Sequence, residues 1–272
     1  MPLVNTSWLE ENLDKVKIID CSWHMPQMHR NGFNEYKNQH IKNAIFFDLD
    51  KNSKKDTDLP HMLTDAKSWE NIVSNMGIRN DEQIIIYDNS DVISSCRCWY
   101  NFIYFGHDPN LVHVLDGGLK KWINEKKLTV NNSTKTISSD YRANEKKELV
   151  KNKKEIDENI NININKFKVI DARSRERFEG NIPEPRKGLR SGSIKNSFCL
   201  PFSDLINEDH TFINKKEILE KFKLTQCELD ENVIFTCGSG VTASVLALAY
   251  SLIDIKYKPT IYDGSWSEYG NN

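Results

Sequence analysis

The sequence lacks the features that would mark a membrane protein, a secreted protein or a nucleic-acid-binding protein. None of its apolar runs reaches the roughly 18 residues that a membrane-spanning helix requires. The first residues, Met1–Thr6, contain neither a basic region nor an apolar stretch, so we expect no secretory signal. The 37 basic and 39 acidic residues leave a net charge of −2, which argues against nucleic acid or an anionic membrane as a partner.

Cysteine is also sparse, and its spacing matches neither a metal site nor a disulfide scaffold. The six cysteines among 272 residues include no C-x-x-C pair. Cys96 and Cys98 lie in an apolar helical pattern, and alternate residues of a helix do not share a face. We therefore expect reduced thiols, no metal, no cofactor and a cytoplasmic location, and we interpret the cysteines other than Cys237 as packing residues.

What the sequence does contain is an internal repeat with a period of about 150 residues. Hydrophobic residues make up 38% of the whole sequence, which is enough for two globular domains. Four segments recur in the same order, namely 17–20 with 168–171, 40–46 with 193–199, 84–92 with 232–241 and 114–118 with 261–265. The chain is thus predicted to hold two copies of one fold, with a first domain at 1–130, a polar linker at 131–147 and a second domain at 148–272.

Each copy alternates short apolar runs with helical patterns. The runs 83–87, 112–115, 167–170 and 233–236 predict buried parallel strands. Residues 64–76 predict a helix that Thr64 caps and Gly77 ends, and 241–253 predicts a buried helix. The charged stretch 147–159 predicts a solvated amphipathic helix. This alternation indicates an α/β fold with a mainly parallel sheet flanked by helices, in which ligands bind at the carboxyl ends of the strands.

A candidate nucleophile follows the predicted strand 233–236. Cys237 is followed by Gly238-Ser239-Gly240 and then by the predicted helix. Glycines let backbone N–H groups converge on one centre, and the helix N-terminus adds partial positive charge. Such a position should lower the pKa of a thiol and activate it, although a small packing cysteine at a strand-to-helix turn remains the alternative. The first copy has Asp88 at this position, so we expect only the second copy to be reactive.

The segment 237–242 resembles the active-site loop of the 3-mercaptopyruvate sulfurtransferases, a family of the rhodanese superfamily. The likeness covers nearly the whole chain. Further shared motifs are Asp116-Gly117-Gly118-Leu119, Asp171-Ala172-Arg173, Arg177-Phe178, Glu184-Pro185-Arg186 and Asp263–Glu268. Thiosulfate-using members carry Arg and Lys directly after the cysteine, where this chain has Gly238 and Ser239. The resemblance implies two tandem rhodanese-like domains, of which only the second is catalytic.

The resemblance also implies a reaction. Cys237 would take the sulfur of 3-mercaptopyruvate as a persulfide, release pyruvate, and pass the sulfur to a thiol, a thioredoxin-like protein or cyanide. Arg177 and Arg186 would hold the carboxylate and carbonyl of the substrate, which suits the planar guanidinium group. The other implied substrate-binding residues are Gly238, Gly240, Val241 and Thr242.

A Ser–His–Asp arrangement is implied as well. Ser239, His61 and Asp50 fit its three positions, and such a relay could protonate the pyruvate enolate that remains after sulfur is lost. Because His61 and Asp50 belong to the first copy in sequence, we expect both copies to contribute to the site. We expect the protein to act as a monomer.

Three alternative functions stay open. A thiosulfate:cyanide sulfurtransferase would need more positive charge than Gly238 and Ser239 supply. A cysteine phosphatase would need an arginine six residues after Cys237, where the chain has Ala243. A persulfide carrier or regulatory module would form the persulfide without multiple turnover.

Two turns depart from the family pattern. The expected Pro-Gly pairs are replaced by Lys42-Asn43 in the first copy and by Lys195-Asn196 in the second. Asparagine tolerates the left-handed backbone conformation, so we expect both turns to be kept.

Overall fold

The computed structural model describes residues 1–161, 166–229 and 231–271, which divide into two compact units. The first unit comprises residues 1–55, 63–146 and 207–212, and the second comprises 56–62, 147–206 and 213–272. Each unit therefore includes one short segment from the other half of the sequence. These segments are 56–62, which contains His61, and 207–212, which contains His210.

The first unit is built on a five-stranded parallel sheet with the strand order β1-β6-β5-β2-β4. Its strands are β1 (Leu3–Val4), β2 (Lys17–Asp20), β4 (Ala44–Phe46), β5 (Ile84–Tyr87) and β6 (Val112–Leu115), and its helices are α1 (Thr6–Asn12), α2 (Gly32–Asn38), α3 (Ala66–Asn75), α4 (Ser95–Tyr104) and α5 (Gly118–Asn124). Two short strands, β3 (His40–Ile41) and β7 (Thr129–Val130), pair antiparallel beside this sheet. A short 3₁₀ turn spans Pro26–Met28.

The second unit is built on a sheet of the same kind, with the order β10-β9-β11-β12-β8. Its strands are β8 (Val150–Lys151), β9 (Lys168–Asp171), β10 (Phe198–Cys199), β11 (Val233–Thr236) and β12 (Ile261–Tyr262), and its helices are α6 (Lys153–Asn161), α7 (Arg175–Glu179), α8 (Lys215–Lys223), α9 (Val241–Ile253) and α10 (Ser265–Tyr269). Short 3₁₀ turns span Lys147–Leu149 and Phe202–Leu205.

The two sheets share one topology, since β4, β2, β5, β6 and β1 occupy the same successive places as β10, β9, β11, β12 and β8. All neighbouring strands in both sheets run parallel. The internal repeat therefore corresponds to two copies of one α/β unit, and the predicted fold class is confirmed.

Burial follows the apolar pattern of the sequence. Every residue of β5, β6 and β11 is buried, as expected for strands covered by helices on both faces. Helix α9 spans the predicted residues and has nine buried side chains among its 13 residues. Helix α4 is buried along its whole length. Helix α9 is apolar around most of its circumference because it packs inside its unit, whereas α4 also buries the polar side chains of Arg97 and Asn101.

Two helix predictions need adjustment. Helix α3 begins at Ala66 rather than Thr64, because the Asp65 side chain accepts the hydrogen bond from the Ser68 N–H and so caps the helix. The stretch predicted as one amphipathic helix at 147–159 divides into a 3₁₀ turn, strand β8 and helix α6. The polar segment after residue 130 packs on the first unit, where Tyr141 is 1% exposed and the Ser139 N–H donates to the Ser74 carbonyl.

Both asparagine turns keep the left-handed conformation, with φ of 67° at Asn43 and 61° at Asn196. This confirms that asparagine serves where a Pro-Gly pair was expected.

Within the described residues, no helix is both long enough and apolar enough to cross a membrane.

Candidate active site

The cysteine loop of the second unit curls tightly between β11 and α9. Gly240 takes the left-handed conformation with φ of 81° and immediately precedes the first helical residue, Val241. This curl turns the Gly240 N–H onto the Sγ of Cys237, at an N···S distance of 3.1 Å. Cys237 is 2% exposed. The curl places a backbone donor at a helix N-terminus, a group that can hydrogen-bond a sulfur anion, directly on the cysteine side chain.

Helix α10 holds this loop from the other side. The Ser265 hydroxyl accepts from the Cys237 N–H at 3.2 Å, and the Trp266 N–H donates to the Cys237 carbonyl at 2.9 Å. The Gly238 carbonyl accepts from both the N–H and the hydroxyl of Ser267, at 2.9 and 2.6 Å. The loop is therefore anchored through its own backbone, which leaves the sulfur and the Ser239 side chain for other contacts.

Both predicted substrate-binding arginines lie beside Gly238. A Cβ atom at position 238 would come within 3.3 Å of Nη2 of Arg177 and 4.0 Å of Nη1 of Arg186. Arg177 belongs to helix α7, and Arg186 lies after that helix in a segment without regular structure. The glycine thus leaves room for two guanidinium groups next to the cysteine loop, and such groups can bind a small carboxylate.

A buried carboxylate orients one of these arginines. Glu184 accepts two hydrogen bonds from Arg177, from Nε at 3.1 Å and from Nη2 at 2.6 Å. Its side chain is 2% exposed, whereas that of Arg177 is 22% exposed. Glu184 also accepts from Arg173 at 2.8 Å, and Arg173 in turn forms a close ion pair with Asp171. The Arg173 guanidinium stacks 4.4 Å from the Trp266 ring centre, so this network also joins the anchoring helix α10.

Ser239 and His61 are brought together. Nδ1 of His61 lies 2.8 Å from Oγ of Ser239, and the two residues are 4% and 6% exposed. His61 lies in the segment 56–62, which belongs to the second unit although it comes early in the chain. Its backbone is left-handed, with φ of 61°, an uncommon conformation for a residue with a side chain. A hydroxyl paired with a buried imidazole can relay a proton beside Cys237.

Asp50, the third residue of the predicted relay, belongs to the first unit. Its carboxylate accepts from Nε1 of Trp23, at 3.1 and 3.0 Å to its two oxygens. The two remaining predicted residues open helix α9, where Val241 is buried and Thr242 is half-buried.

The equivalent loop of the first unit is closed by its own carboxylate. Asp88 accepts from the Ser90 N–H at 2.7 Å and from the Ser95 N–H, the first of helix α4, at 2.9 Å. It is 5% exposed, and burial raises its pKa above the usual range for an aspartate. The helix N-terminus that faces a sulfur in the second unit thus faces a built-in carboxyl group here, so this copy offers no thiol nucleophile.

The first unit nevertheless retains a counterpart of His61. His210 lies 149 residues after His61 and shares its left-handed backbone, with φ of 65°. Nε2 of His210 accepts from Nζ of Lys120 at 3.0 Å, and Lys120 also pairs with Asp91. Asp88, Lys120 and His210 line a small cavity of about 10 Å³. That volume holds one water molecule at most, so side chains of the protein already fill this place.

The other thiols match the packing interpretation. All six cysteines are free. Burial raises the pKa of four of the thiols and so keeps them neutral. These four are Cys21, Cys96, Cys199 and Cys227. Among the residues that the structure describes, no group of three or more His, Cys, Asp or Glu side chains could hold a metal ion.

Three residues at the site were not singled out for a role by sequence reasoning. Glu184 was identified only as part of a motif, and Ser265 and Ser267 only as members of the segment after strand β12. For the two serines the available signal was their position after strand β12, because residues that follow parallel strands gather at the edge where the cysteine loop lies. Their hydrogen-bond partners are distant in sequence and could not be deduced from local pattern.

Comparison with known proteins agrees with this geometry. The rhodanese-like domain family matches residues 5–125 and 149–272. The thiosulfate/3-mercaptopyruvate sulfurtransferase 1, mitochondrial, of Arabidopsis thaliana is 35% identical over 98% of this chain and 76% of its own length. The thiosulfate sulfurtransferase of Rattus norvegicus is 33% identical over 98% of this chain and 91% of its own. The crystal structure of the 3-mercaptopyruvate sulfotransferase SseA from Escherichia coli superposes with a TM-score of 0.87, at 30% identity, over 98% of this chain and 99% of that one.

Proposed function

Because this chain is a sulfurtransferase of the rhodanese family, we propose that it moves the sulfur of 3-mercaptopyruvate through a persulfide on Cys237 to an acceptor thiol or to cyanide. The observation that carries this proposal is the loop itself. A buried sulfur accepts a backbone N–H at 3.1 Å, and two arginines flank the adjacent glycine. This arrangement suits a donor that combines a sulfur atom with a carboxylate.

Donor binding uses the two arginines. The guanidinium groups of Arg177 and Arg186 donate charge-assisted hydrogen bonds to the planar carboxylate of the α-keto acid. They sit beside Gly238, one residue after the nucleophile, so a three-carbon donor anchored there brings its sulfur to Sγ of Cys237. Positioning of this kind lowers the entropic part of the activation barrier.

Sulfur transfer follows in two displacements. In the first, the Cys237 thiolate attacks the donor sulfur, an S–S bond forms, and the C–S bond breaks with its electron pair left on carbon as the pyruvate enolate. Protonation of the enolate gives pyruvate. In the second, an acceptor thiolate attacks the outer sulfur of the persulfide, which restores the Cys237 thiolate. The Gly240 N–H stabilises the sulfur anion at both ends of the cycle.

The pair of Ser239 and His61 supplies the proton to the enolate. Their 2.8 Å contact supports a relay in which the hydroxyl delivers the proton and the imidazole replaces it. We assign Asp50 the third place, where a carboxylate would stabilise the charged imidazole. The neutral Val241 and Thr242 at the start of α9 complete the wall of the donor site, together with Gly238 and Gly240.

We further propose that the acceptor is a small thiol, a thioredoxin-like protein or cyanide, and that the protein acts as a cytoplasmic monomer without a nucleic-acid or membrane partner. The net charge of −2 argues against a nucleic-acid or membrane partner, and the six free cysteines fit a reducing compartment. We also propose two domains at 1–130 and 148–272, joined by a linker at 131–147 of which residues 131–146 pack with the first unit.

The test compares two donors on one preparation. Pyruvate release from 3-mercaptopyruvate with a reducing thiol is measured beside thiocyanate formation from thiosulfate and cyanide. We expect a higher kcat/KM with 3-mercaptopyruvate, because Gly238 and Ser239 add no positive charge for the thiosulfate dianion. A higher kcat/KM with thiosulfate would assign the second donor instead, which the name of the rat relative makes the specific alternative. Persulfide formation without turnover would indicate a carrier.

A further inference from the structure

Ser267 links one of the two arginines to the cysteine loop. Its hydroxyl lies 3.0 Å from Nη1 of Arg186 and 2.6 Å from the carbonyl oxygen of Gly238. Ser267 lies in helix α10 and is 5% exposed. A single buried hydroxyl therefore contacts both a substrate-binding cation and the backbone of the residue that follows the nucleophile.

The direction of both hydrogen bonds is set by the chemistry of the partners. A guanidinium group can only donate, so the Ser267 oxygen accepts from Arg186. A carbonyl oxygen can only accept, so the hydroxyl proton points to Gly238. The chain of donors runs from Arg186 through Ser267 to Gly238, and a hydroxyl whose proton is already donated becomes a better acceptor for the arginine.

The loop has a second anchor that does not depend on this hydroxyl. The Ser267 backbone N–H also donates to the Gly238 carbonyl, at 2.9 Å. Loss of the hydroxyl would therefore leave the loop attached to helix α10 through the backbone. It would remove the acceptor that Arg186 finds on that helix, so the two effects can be separated by substitution.

From this geometry we propose that Ser267 is a positioning residue, which fixes the Arg186 guanidinium over Gly238 so that an anionic donor binds with its sulfur at Cys237. The proposal deepens the proposed function and rests on it for the identity of the donor. The Ser267 hydroxyl bonds to Arg186 and to the Gly238 carbonyl, and its effect on donor binding passes through Arg186.

The first experiment measures KM and kcat for 3-mercaptopyruvate in Ser267→Ala. We expect KM to rise about tenfold, with kcat within about twofold of wild type, because the lost hydrogen bond to a charged group orients a binding residue rather than a reacting one. The matched control is Ser251→Ala, which removes a hydroxyl that donates to the Ala247 carbonyl within helix α9. It should leave both constants unchanged.

A double-mutant cycle tests whether Ser267 acts through Arg186. In an Arg186→Ala background, Ser267→Ala should raise KM no further, because the guanidinium that the hydroxyl positions is already gone. An equal increase in both backgrounds would overturn the proposal, since it would mean that the hydroxyl acts through the loop. A fall in kcat with unchanged KM would overturn it as well.

Alkylation of Cys237 supplies a readout that is independent of turnover. Iodoacetate is an anion and iodoacetamide is its neutral counterpart, so the ratio of their rates at the Cys237 peptide reports the positive charge beside the sulfur. We expect Ser267→Ala to lower this ratio severalfold with the iodoacetamide rate unchanged. Equal changes with both reagents would contradict the proposal. If the wild type released no pyruvate from 3-mercaptopyruvate, the proposed function would fail, and the alkylation ratio would still decide the role of Ser267.

Discussion

Replacement of Glu184 by glutamine is the sharpest perturbation that the site offers. The side chain is 2% exposed and accepts from Arg177 at 3.1 and 2.6 Å and from Arg173 at 2.8 Å. Glutamine keeps the size but removes the negative charge, and its amide group places a donor where one guanidinium also donates. The Arg177 guanidinium would then lose the paired contact that directs it toward Gly238.

The expected loss of stability depends on which partners Arg173 and Arg177 keep after the substitution. Removal of one partner from a buried ion pair costs about 3–5 kcal/mol when the other charge is left without compensation. Arg173 keeps its ion pair with Asp171, and the Arg177 side chain is 22% exposed, so water can replace part of the loss. We therefore expect destabilisation near the lower limit, about 3 kcal/mol. For a protein of this size, that lowers Tm by about 6–12 °C.

The assay combines thermal unfolding with donor kinetics. Glu184→Gln should also raise KM for 3-mercaptopyruvate about tenfold, because a wrongly oriented Arg177 binds the carboxylate less well. The matched control is Glu179→Gln at the exposed end of helix α7, which makes the same chemical change and should alter neither quantity. A Glu184→Gln protein with wild-type KM and Tm would refute the reasoning that this carboxylate orients the arginine.

Three further outcomes are expected. His61→Ala should lower kcat at least a hundredfold at similar KM in steady-state pyruvate release, since Ser239 loses its proton partner, and full kcat would argue against the relay. Gly238→Ala should raise the donor KM, because the new Cβ lies 3.3 Å from Nη2 of Arg177, and an unchanged KM would contradict the crowding. Burial raises the pKa of Asp20 to about 7, so its contribution to stability is complete below about pH 4 and is lost as the pH rises through about 7. Urea unfolding should therefore show Asp20→Asn gaining about 2–4 kcal/mol relative to wild type between pH 4 and pH 8, and a constant difference would refute this.

Local pattern was sufficient to predict much of the fold. Helix α9 was located at its observed bounds because nearly every residue is apolar and Gly240 marks its start. Strands β6 and β11 were located because short buried parallel strands have a continuous apolar signature. The repeat then predicted two copies, and the shared strand order follows from it.

Features that depend on contacts distant in sequence were beyond the reach of local pattern. Nothing near His61 indicates that residues 56–62 join the second unit, because that membership depends on contacts with residues far along the chain. The roles of Glu184 and Ser267 likewise arise from hydrogen bonds across the fold. Asp65, rather than Thr64, caps helix α3 because both types of side chain can cap, and only the backbone geometry selects one.

The persulfide on Cys237 is the central claim, and the mass of the intact protein tests it most directly. The protein is incubated with 3-mercaptopyruvate in the absence of an acceptor, and the cysteine peptides are then assigned. We predict that wild type gains the mass of one sulfur atom at Cys237, that an added thiol removes it, and that Cys237→Ser gains none and releases no pyruvate. Sulfur bound at another cysteine, or pyruvate release at the wild-type rate by Cys237→Ser, would contradict the account.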